Sequence, residues 1–345
     1  MRRCSCWCLA LGTAFLTSSC EGADRPPDTG DEAAAVPVMA EGYVEVTDGV
    51  RLFYRTVGRG DDTIVVLHGG PGLSFEYFGD DLAPLAERNT LLFYDQRGGG
   101  RSTLVDDSTG LAAHRFADDL EAVRQHFSLD RMILFAHSWG AGVAALYATQ
   151  YPERVERLVI VGGIPLEQHQ LDQAFRELFA SRDTATQRRM TELWESRVAN
   201  PGDSALCREY VVLYLVPFFA DSSAAGRSTG DFCAGSLEAL RNQMNNVGQY
   251  TMASLGEWDW RESLRDVAAP ALVVHGTVDP IPMEGARAWA RALPNGRLLP
   301  MEGIGHFPYL EAPQPFFDAI EEFMQEEWPD GARPLPSPGD SLGRR

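Results

Sequence analysis

The hydrophobic pattern of this chain alternates between strand-type and helix-type periods. A short run that is apolar throughout and rich in β-branched residues is typical of a strand buried on both faces of a sheet, and residues 63–67 form such a run. Further mainly apolar, strand-type runs occupy residues 89–94, 131–136 and 157–161. Stretches with helical spacing lie between them, for example residues 114–127. This alternation predicts a mostly parallel, doubly wound sheet with helices on both faces.

Two further strand-like runs come before the alternation begins. Residues 43–46 and 50–57 flank the turn dipeptide Asp48-Gly49. Because such a dipeptide between two extended runs favours a tight hairpin, we expect an antiparallel pair at the start of the sheet. The first part of the α/β core is therefore predicted to span residues 41–164.

The alternation stops near Gly163 and is replaced by a helical, aromatic pattern. A strand-type run returns only at residues 271–276. We therefore predict that residues 165–261, called the cap below, form a helical insertion that folds over the sheet. The core resumes over residues 262–328 and is expected to end in a helix from Pro313 to Trp328. Residues 329–345 are rich in Pro, Gly and Arg and are predicted to be a disordered tail.

The first 20 residues have the pattern of an export signal. Arg2 and Arg3 precede an apolar stretch over residues 7–16, and small residues lead to Cys20. This arrangement is similar to an imperfect bacterial lipobox, which predicts that lipidated Cys20 attaches the mature chain to a membrane. Residues 21–40 are predicted to be a flexible tether. The expected location is the periplasm or a membrane-anchored lipoprotein, alternatively the secreted fraction.

The cysteines bear on the compartment as well. Of six cysteines, three fall inside the predicted signal and Cys20 would carry lipid. Only Cys207 and Cys233 remain, and both lie in the cap. Two thiols in an oxidising compartment can pair, so we expect these two to form a disulfide.

Charge and metal-ligand spacing narrow the class of protein. The net charge of −19 argues against a nucleic-acid partner, because phosphate binding needs clustered positive charge. No Cys or His cluster has the spacing of a zinc site. We therefore expect neither a metal nor a cofactor. The oligomeric state stays open.

The central chemical motif is Ala136-His137-Ser138-Trp139-Gly140, placed between a predicted strand and a predicted helix. Strand, sharp turn and helix in this order are typical of a nucleophile elbow, which exposes the serine hydroxyl. Residues two before and two after the serine must be small. Gly140 meets that need, and Ala136 stands where the pattern usually has glycine, one methyl group away from the strict form. Ser138 is the predicted nucleophile.

A serine nucleophile needs a base and an acid that orients the base. In doubly wound hydrolases the chain order is serine, acid, histidine. Asp279 and His306 follow Ser138 in that order, and each comes after a predicted strand. Asp95 is the main rival for the acid, but it precedes Ser138 in the chain and so does not fit this order.

A glycine-rich segment supplies candidate oxyanion donors. His68-Gly69-Gly70-Pro71-Gly72 directly follows the strand at residues 63–67. The negative oxygen of an acyl-transfer intermediate can be held by two backbone amides. We predict the amides of Gly70 and Trp139, the latter being the residue after the nucleophile.

A further motif, Asp95-Gln96-Arg97-Gly98-Gly99-Gly100-Arg101-Ser102, directly follows the strand-type run at residues 89–94. Together with the motifs at residues 68–72 and 138–140, it resembles the prolyl-iminopeptidase branch of the α/β-hydrolases. The resemblance implies an α/β-hydrolase fold, a cap between the sixth and seventh strands, and a serine peptidase that releases N-terminal residues, often proline. Family members hold the substrate's free amine with cap glutamates. Glu195 and Glu209 are the candidates here.

Two alternatives to the aminopeptidase hypothesis stay open. The same core also supports esterases and amidases that act on small non-peptide substrates. A cap without an acid pair near the cavity would favour that alternative. The second alternative is a non-catalytic surface lipoprotein that only binds a partner, and the complete set of Ser138, Asp279 and His306 argues against it.

Overall fold

The computed structural model describes residues 38–200 and 202–336. The predicted signal, Cys20, most of the predicted tether and the last nine residues lie outside the described residues. Within the described ranges, no helix is both long enough and apolar enough to cross a membrane.

One eight-stranded sheet forms the centre of the molecule. Its strands are β1 (Val38–Glu45), β2 (Arg51–Val57), β3 (Thr63–Leu67), β4 (Thr90–Tyr94), β5 (Met132–His137), β6 (Val155–Val161), β7 (Ala271–Gly276) and β8 (Gly296–Met301). Their spatial order is β1-β2-β4-β3-β5-β6-β7-β8. The β1–β2 and β2–β4 pairs are antiparallel, and every later pair is parallel. The predicted initial hairpin and mostly parallel sheet are confirmed.

Helices cover both faces of this sheet. In chain order they are α1 (Ala83–Ala86), α2 (His114–His126), α3 (Trp139–Gln150), α4 (Gln168–Ala180), α5 (Thr184–Ala199), α6 (Ser204–Leu215), α7 (Leu237–Asn242), α8 (Gly248–Leu255), α9 (Met283–Ala292), α10 (Pro308–Glu311) and α11 (Pro313–Met324). Side chains of α2, α3 and α9 share one buried cluster with Val65 and Leu67 of β3. Side chains of α1, α10 and α11 share the other with Ile64 and Val66. Alternate residues of β3 therefore enter opposite cores, as its uninterrupted apolar run predicted.

The cap lies between β6 and β7, as predicted. It contains α4 to α8, and the isolated β-bridge between Glu167 and Asp259 joins its two ends. The Cys207–Cys233 disulfide is present, with the two Cα atoms 6.1 Å apart. It connects α6 to the irregular segment that precedes α7. The cap is thus cross-linked within itself, and its position brings it over the carboxyl ends of the central strands.

Two predicted boundaries are wrong. Strand β1 begins at Val38, inside the segment expected to be a tether. At the other end, Arg333 exchanges backbone hydrogen bonds of 2.9 Å with Leu298 of β8, and Ala332 is buried. Residues 329–336 are therefore ordered, because the free edge of β8 offers backbone partners that composition does not reveal.

The predicted last helix is also too long at its C-terminal end. Helix α11 ends at Met324, and Trp328 folds back instead to pack beside Phe323 with a ring distance of 5.2 Å. Arg297 of β8 lies 4.3 Å above the Trp328 ring. These contacts hold the segment after α11 against the sheet edge.

Candidate active site

The turn between β5 and α3 has the backbone geometry of a nucleophile elbow. Ser138 has φ 56° and ψ −119°, a conformation that residues with a side chain rarely adopt. A Cβ atom at position 140 would collide with the carbonyl oxygen of Leu67, so Gly140 is required there. The strained serine is held because strand β5, helix α3 and the neighbouring β3 all pack tightly around it.

Asp279 and His306 meet at the carboxyl ends of β7 and β8. Asp279 Oδ2 lies 2.8 Å from His306 Nδ1, and both side chains are buried. The second carboxylate oxygen of Asp279 accepts the Ile281 N–H at 2.8 Å. A carboxylate at Nδ1 favours the tautomer that carries its proton there, which leaves Nε2 free to accept a proton.

The backbone and ring of His306 are also held in place. Its N–H donates to the Phe218 carbonyl at 2.7 Å, and the Phe218 ring lies 5.2 Å from the imidazole. Phe218 follows α6, so the cap itself positions this histidine. His306 and Ser138 line one cavity. In the described chain no hydrogen bond joins the two side chains, and free enzymes often form that contact only with substrate bound.

The glycine-rich loop after β3 lies directly beside the serine. A Cβ atom on Gly69 would come within 3.1 Å of Ser138 Cβ, which is tighter than most such contacts, so glycine favours this approach. The Gly69 N–H donates to the Tyr77 hydroxyl at 2.8 Å. Among the described residues, the Gly70 N–H has no acceptor. Gly70 and Trp139 both line the cavity beside Ser138, so their amides are available to a substrate oxygen.

Gln96 ties this loop to the elbow. Its side-chain amide donates to the His68 carbonyl at 2.9 Å and accepts the Trp139 indole N–H at 2.9 Å. Its backbone N–H donates to His68 Nε2 at 3.0 Å. Burial lowers the pKa of His68 to about 4, which keeps this ring neutral and able to accept. The motif at residues 95–102 therefore sets the distance between the two candidate oxyanion donors.

Asp95, the rival acid, has a different role. Its carboxylate accepts hydrogen bonds from Ser74 Oγ at 2.7 Å and from the backbone N–H groups of Phe75 and Arg101. Next to it, Arg97 forms a buried two-pronged ion pair with Asp119, with Nε 2.6 Å from Oδ2. These contacts order the loop that carries Gln96, and no histidine lies among the partners of Asp95.

A second hydrogen-bonded chain was not predicted from the sequence. The Tyr77 hydroxyl, which accepts from Gly69, lies 2.7 Å from His137 Nδ1, and His137 Nε2 lies 3.2 Å from the His306 carbonyl. Burial holds the pKa of His137 well below its ordinary value, so the ring is neutral. Tyr77 then donates to Nδ1, while Nε2–H donates to His306. No motif contains Tyr77, and only the folded chain brings it to this position.

The cavity above Ser138 has a volume of about 430 Å³ and walls from both core and cap. Its cap walls include Leu171, Phe175, Trp194, Arg197, Tyr210, Val211, Tyr214, Leu215, Phe218, Phe232, Met244 and Met252. No aspartate or glutamate is among the described residues that line it. The surface available to a substrate is therefore mainly apolar and aromatic.

Glu195 and Glu209 do not reach this cavity, so their predicted contact with a substrate amine is wrong. Both side chains are on the outer surface, and Glu209 forms an ion pair with Arg189 at 2.7 Å. Each directly adjoins a cavity-lining aromatic residue, Trp194 or Tyr210. One residue along a helix turns a side chain by about 100°. The sequence identified the right stretches of helix but not the face that each presents.

Comparison with known proteins agrees with this geometry. The α/β-hydrolase fold family matches residues 62–313, which is most of the chain. The chain therefore belongs to the α/β-hydrolase fold family.

Within that family the chain is similar to proline iminopeptidases. It is 25% identical to the proline iminopeptidase of Heyndrickxia coagulans, over 83% of this chain and 99% of that protein. It is 26% identical to that of Saccharolobus solfataricus, over 84% and 93% respectively.

Solved structures show the same fold. Proline iminopeptidase from Mycobacterium smegmatis superposes with a TM-score of 0.62 at 21% identity, covering 83% of this chain and 98% of that one. A thermophilic esterase from Thermogutta terrifontis superposes with a TM-score of 0.61 at 18% identity, covering 84% and 99%. Enzymes of both names thus share this architecture, and the fold alone does not select between them.

The chain of hydrogen bonds through Tyr77 leads to a prediction. Tyr77→Phe leaves the Gly69 N–H and His137 Nδ1 without partners in a buried place. We expect the free energy of unfolding to fall by about 1–3 kcal/mol. We also expect kcat/KM to fall roughly tenfold, since the loop carrying Gly70 and the backbone of His306 both lose support. Urea unfolding and turnover of an aryl ester measure the two effects. The surface variant Tyr43→Phe is the control, and wild-type behaviour of Tyr77→Phe would contradict a positioning role.

Proposed function

We propose that this protein is a serine hydrolase that cleaves carboxylic ester or amide bonds through an acyl-enzyme. The observation that carries the proposal is the buried Asp279–His306 pair at 2.8 Å, which shares a cavity with the strained Ser138. Ser138 is the nucleophile, His306 the general base and Asp279 the group that orients it. The backbone amides of Gly70 and Trp139 form the oxyanion hole.

The reaction follows from these roles. His306 Nε2 takes the proton of the Ser138 hydroxyl while the oxygen attacks the substrate carbonyl. The resulting oxyanion accepts hydrogen bonds from Gly70 and Trp139. His306 then gives its proton to the leaving group, which departs as an alcohol or amine. Water, activated by the same histidine, attacks the acyl-enzyme and releases the acid and free Ser138.

The cavity favours substrates without a free amine. An ammonium group buried away from water needs a carboxylate partner, and no carboxylate lines the described cavity. Among the alternatives stated from the sequence, an esterase or amidase acting on small acyl substrates therefore fits the geometry best.

Release of N-terminal residues from peptides is the second candidate. It is favoured by the similarity to proteins named proline iminopeptidase over more than four-fifths of the chain. The peptide bond is an amide, so the same catalytic groups serve both candidates. The difference lies in how the substrate amine is held.

We also propose that the protein acts outside the cytoplasm. Two observations support this: the signal-like pattern of residues 1–20, and the Cys207–Cys233 disulfide, a bond that persists in oxidising compartments. Expressed with its own N-terminus in a bacterial host, the mature protein should begin at Cys20, carry lipid and contain no free thiol. Mass spectrometry of the non-reduced protein measures all three. A cytoplasmic chain with an intact N-terminus would contradict export, and a chain cleaved but unlipidated would contradict only the anchor.

The nucleophile assignment has a direct test. Ser138→Ala should lower kcat by roughly 10⁴-fold or more, by analogy with serine deletion in other triads. A fluorophosphonate probe should label the wild type at Ser138 and leave the variant unlabelled. The exposed Ser263, which lies outside the cavity, gives the control variant Ser263→Ala. Labelling at another residue, or turnover near the wild-type rate in Ser138→Ala, would overturn the assignment.

A matched substrate set separates the two candidates. We expect prolyl and N-acetylprolyl aryl amides to differ by less than about tenfold in kcat/KM, and short acyl aryl esters to be the better substrates. An enzyme that depends on a buried ammonium–carboxylate contact would instead lose on the order of 2–5 kcal/mol on acetylation, which is about 30- to 5,000-fold. A loss of that size would establish the aminopeptidase candidate and exclude an esterase or amidase that acts on small acyl substrates.

A further inference from the structure

Arg197 is a buried cation in the wall of the catalytic cavity. It lies near the C-terminal end of α5 and is only 5% exposed. Within the described ranges, no carboxylate lies within ion-pair distance of its guanidinium. Among the described residues that line the cavity, Arg197 therefore supplies a full charge, since no lysine, aspartate, glutamate or second arginine is among them.

The contacts of Arg197 leave most of its hydrogen-bonding capacity unused. Nη2 makes one weak contact, 3.5 Å from Cys207 Sγ of the disulfide. Nε is buried and has no acceptor. The guanidinium lies 4.8 Å from the centre of the Tyr210 ring. Ring and disulfide hold the side chain in position, but neither neutralises its charge.

Two other arginines among the described residues are buried, and unlike Arg197 each donates hydrogen bonds to oxygen acceptors. Arg97 forms the two-pronged ion pair with Asp119 and also donates to the Gly110 carbonyl. Arg182 also has no carboxylate partner in the described ranges and its Nε has no acceptor, but its two terminal nitrogens donate to the carbonyls of Leu178 and Tyr214, at 3.3 and 3.0 Å. Because a buried charge without a partner is costly, the position of Arg197 indicates that an anion from outside the chain completes it.

We propose that the substrate carries a carboxylate, remote from the bond that is cleaved, and that Arg197 binds it. This inference rests on the proposed function, since the cavity that Arg197 lines is the one that holds Ser138. A guanidinium offers a planar pair of N–H donors that match the two oxygens of a carboxylate. The apolar walls around it suit a carbon chain between the carboxylate and the scissile bond.

The remote carboxylate has two possible places in a substrate. It belongs either to the acyl part, as in a monoester of a dicarboxylic acid, or to the leaving part, as in an N-acyl amino acid. Both share the chemistry that Arg197 recognises. Paired substrates of each kind, with and without the carboxylate, distinguish them.

The experiment measures a ratio for each pair, the kcat/KM of the carboxylate substrate over that of its neutral analogue. The first pair is the 4-nitrophenyl monoester of adipic acid and 4-nitrophenyl hexanoate. The second is N-hexanoylalanine and its amide. We expect one pair to give a ratio of roughly 10 to 100 in the wild type, the range of a hydrogen bond to a charged group.

Three variants locate the source of that ratio. Arg197→Gln should bring it close to one, and Arg197→Lys should retain only part of it, because an ammonium lacks the planar fork. Arg182→Gln removes a buried cap arginine outside this cavity and should keep the wild-type ratio. A wild-type ratio near one in both pairs, or a high ratio that survives Arg197→Gln, would overturn the proposal.

Binding without turnover separates this inference from the proposed function. In the Ser138→Ala protein, calorimetry should show adipate monomethyl ester binding at least about tenfold more tightly than dimethyl adipate, and Arg197→Gln should remove the difference. If the wild-type protein hydrolyses no substrate and the difference in affinity is still present, the hydrolase proposal is wrong and the proposed carboxylate site is supported. Equal affinity for the two ligands would overturn the proposed carboxylate site and leave the hydrolase proposal unaffected. Should Arg197→Gln not fold, Arg197→Lys provides the comparison.

Discussion

The candidate site depends on the close approach of three loops at the carboxyl ends of β3, β4 and β5. Gln96 joins them through hydrogen bonds to His68 and to the indole of Trp139. Gly69 and Gly140 permit the approach, because a side chain at either position would be forced against Ser138 or Leu67. Electrostatic stabilisation of an oxyanion requires donors that are fixed before the reaction begins, and these contacts hold the two candidate donors in place.

The cap contributes to the candidate site both by holding His306 in place and by forming walls of the cavity. The Phe218 carbonyl holds the backbone of His306, and the opposite side of that residue is reached through His137 and Tyr77 from the glycine-rich loop. The candidate base and the loop that carries the candidate oxyanion donor Gly70 are therefore parts of one hydrogen-bonded structure. The same cap supplies most of the apolar walls of the cavity, and charge interactions are stronger beside apolar surface than in bulk water. Arg197 is buried in one of these walls.

Similarity to proline iminopeptidases and the chemistry of the cavity bear on different parts of the function. The family match covers residues 62–313, which include both core and cap, and it supports a hydrolase. Substrate choice depends on the few cap side chains that face Ser138. Here those side chains include an arginine and, among the described residues, no acid. Proteins that share a fold can differ in substrate, and structures named proline iminopeptidase and esterase superpose on this chain with TM-scores of 0.62 and 0.61.

The sequence by itself determined the sheet and the position of the cap, because strand and helix periodicity are local properties of the chain. The order of its motifs also predicted Ser138, Asp279 and His306 as the candidate catalytic residues. It did not determine which face of α5 or α6 meets the cavity. Glu195 and Glu209 were therefore predicted to line the cavity, whereas the charged cap residue that lines it is Arg197. It also missed Tyr77 and the pairing of Arg333 with β8. Each of these depends on contacts between residues far apart in the chain, and a side chain's direction on a short amphipathic helix is set by packing against neighbours that only the tertiary structure brings together.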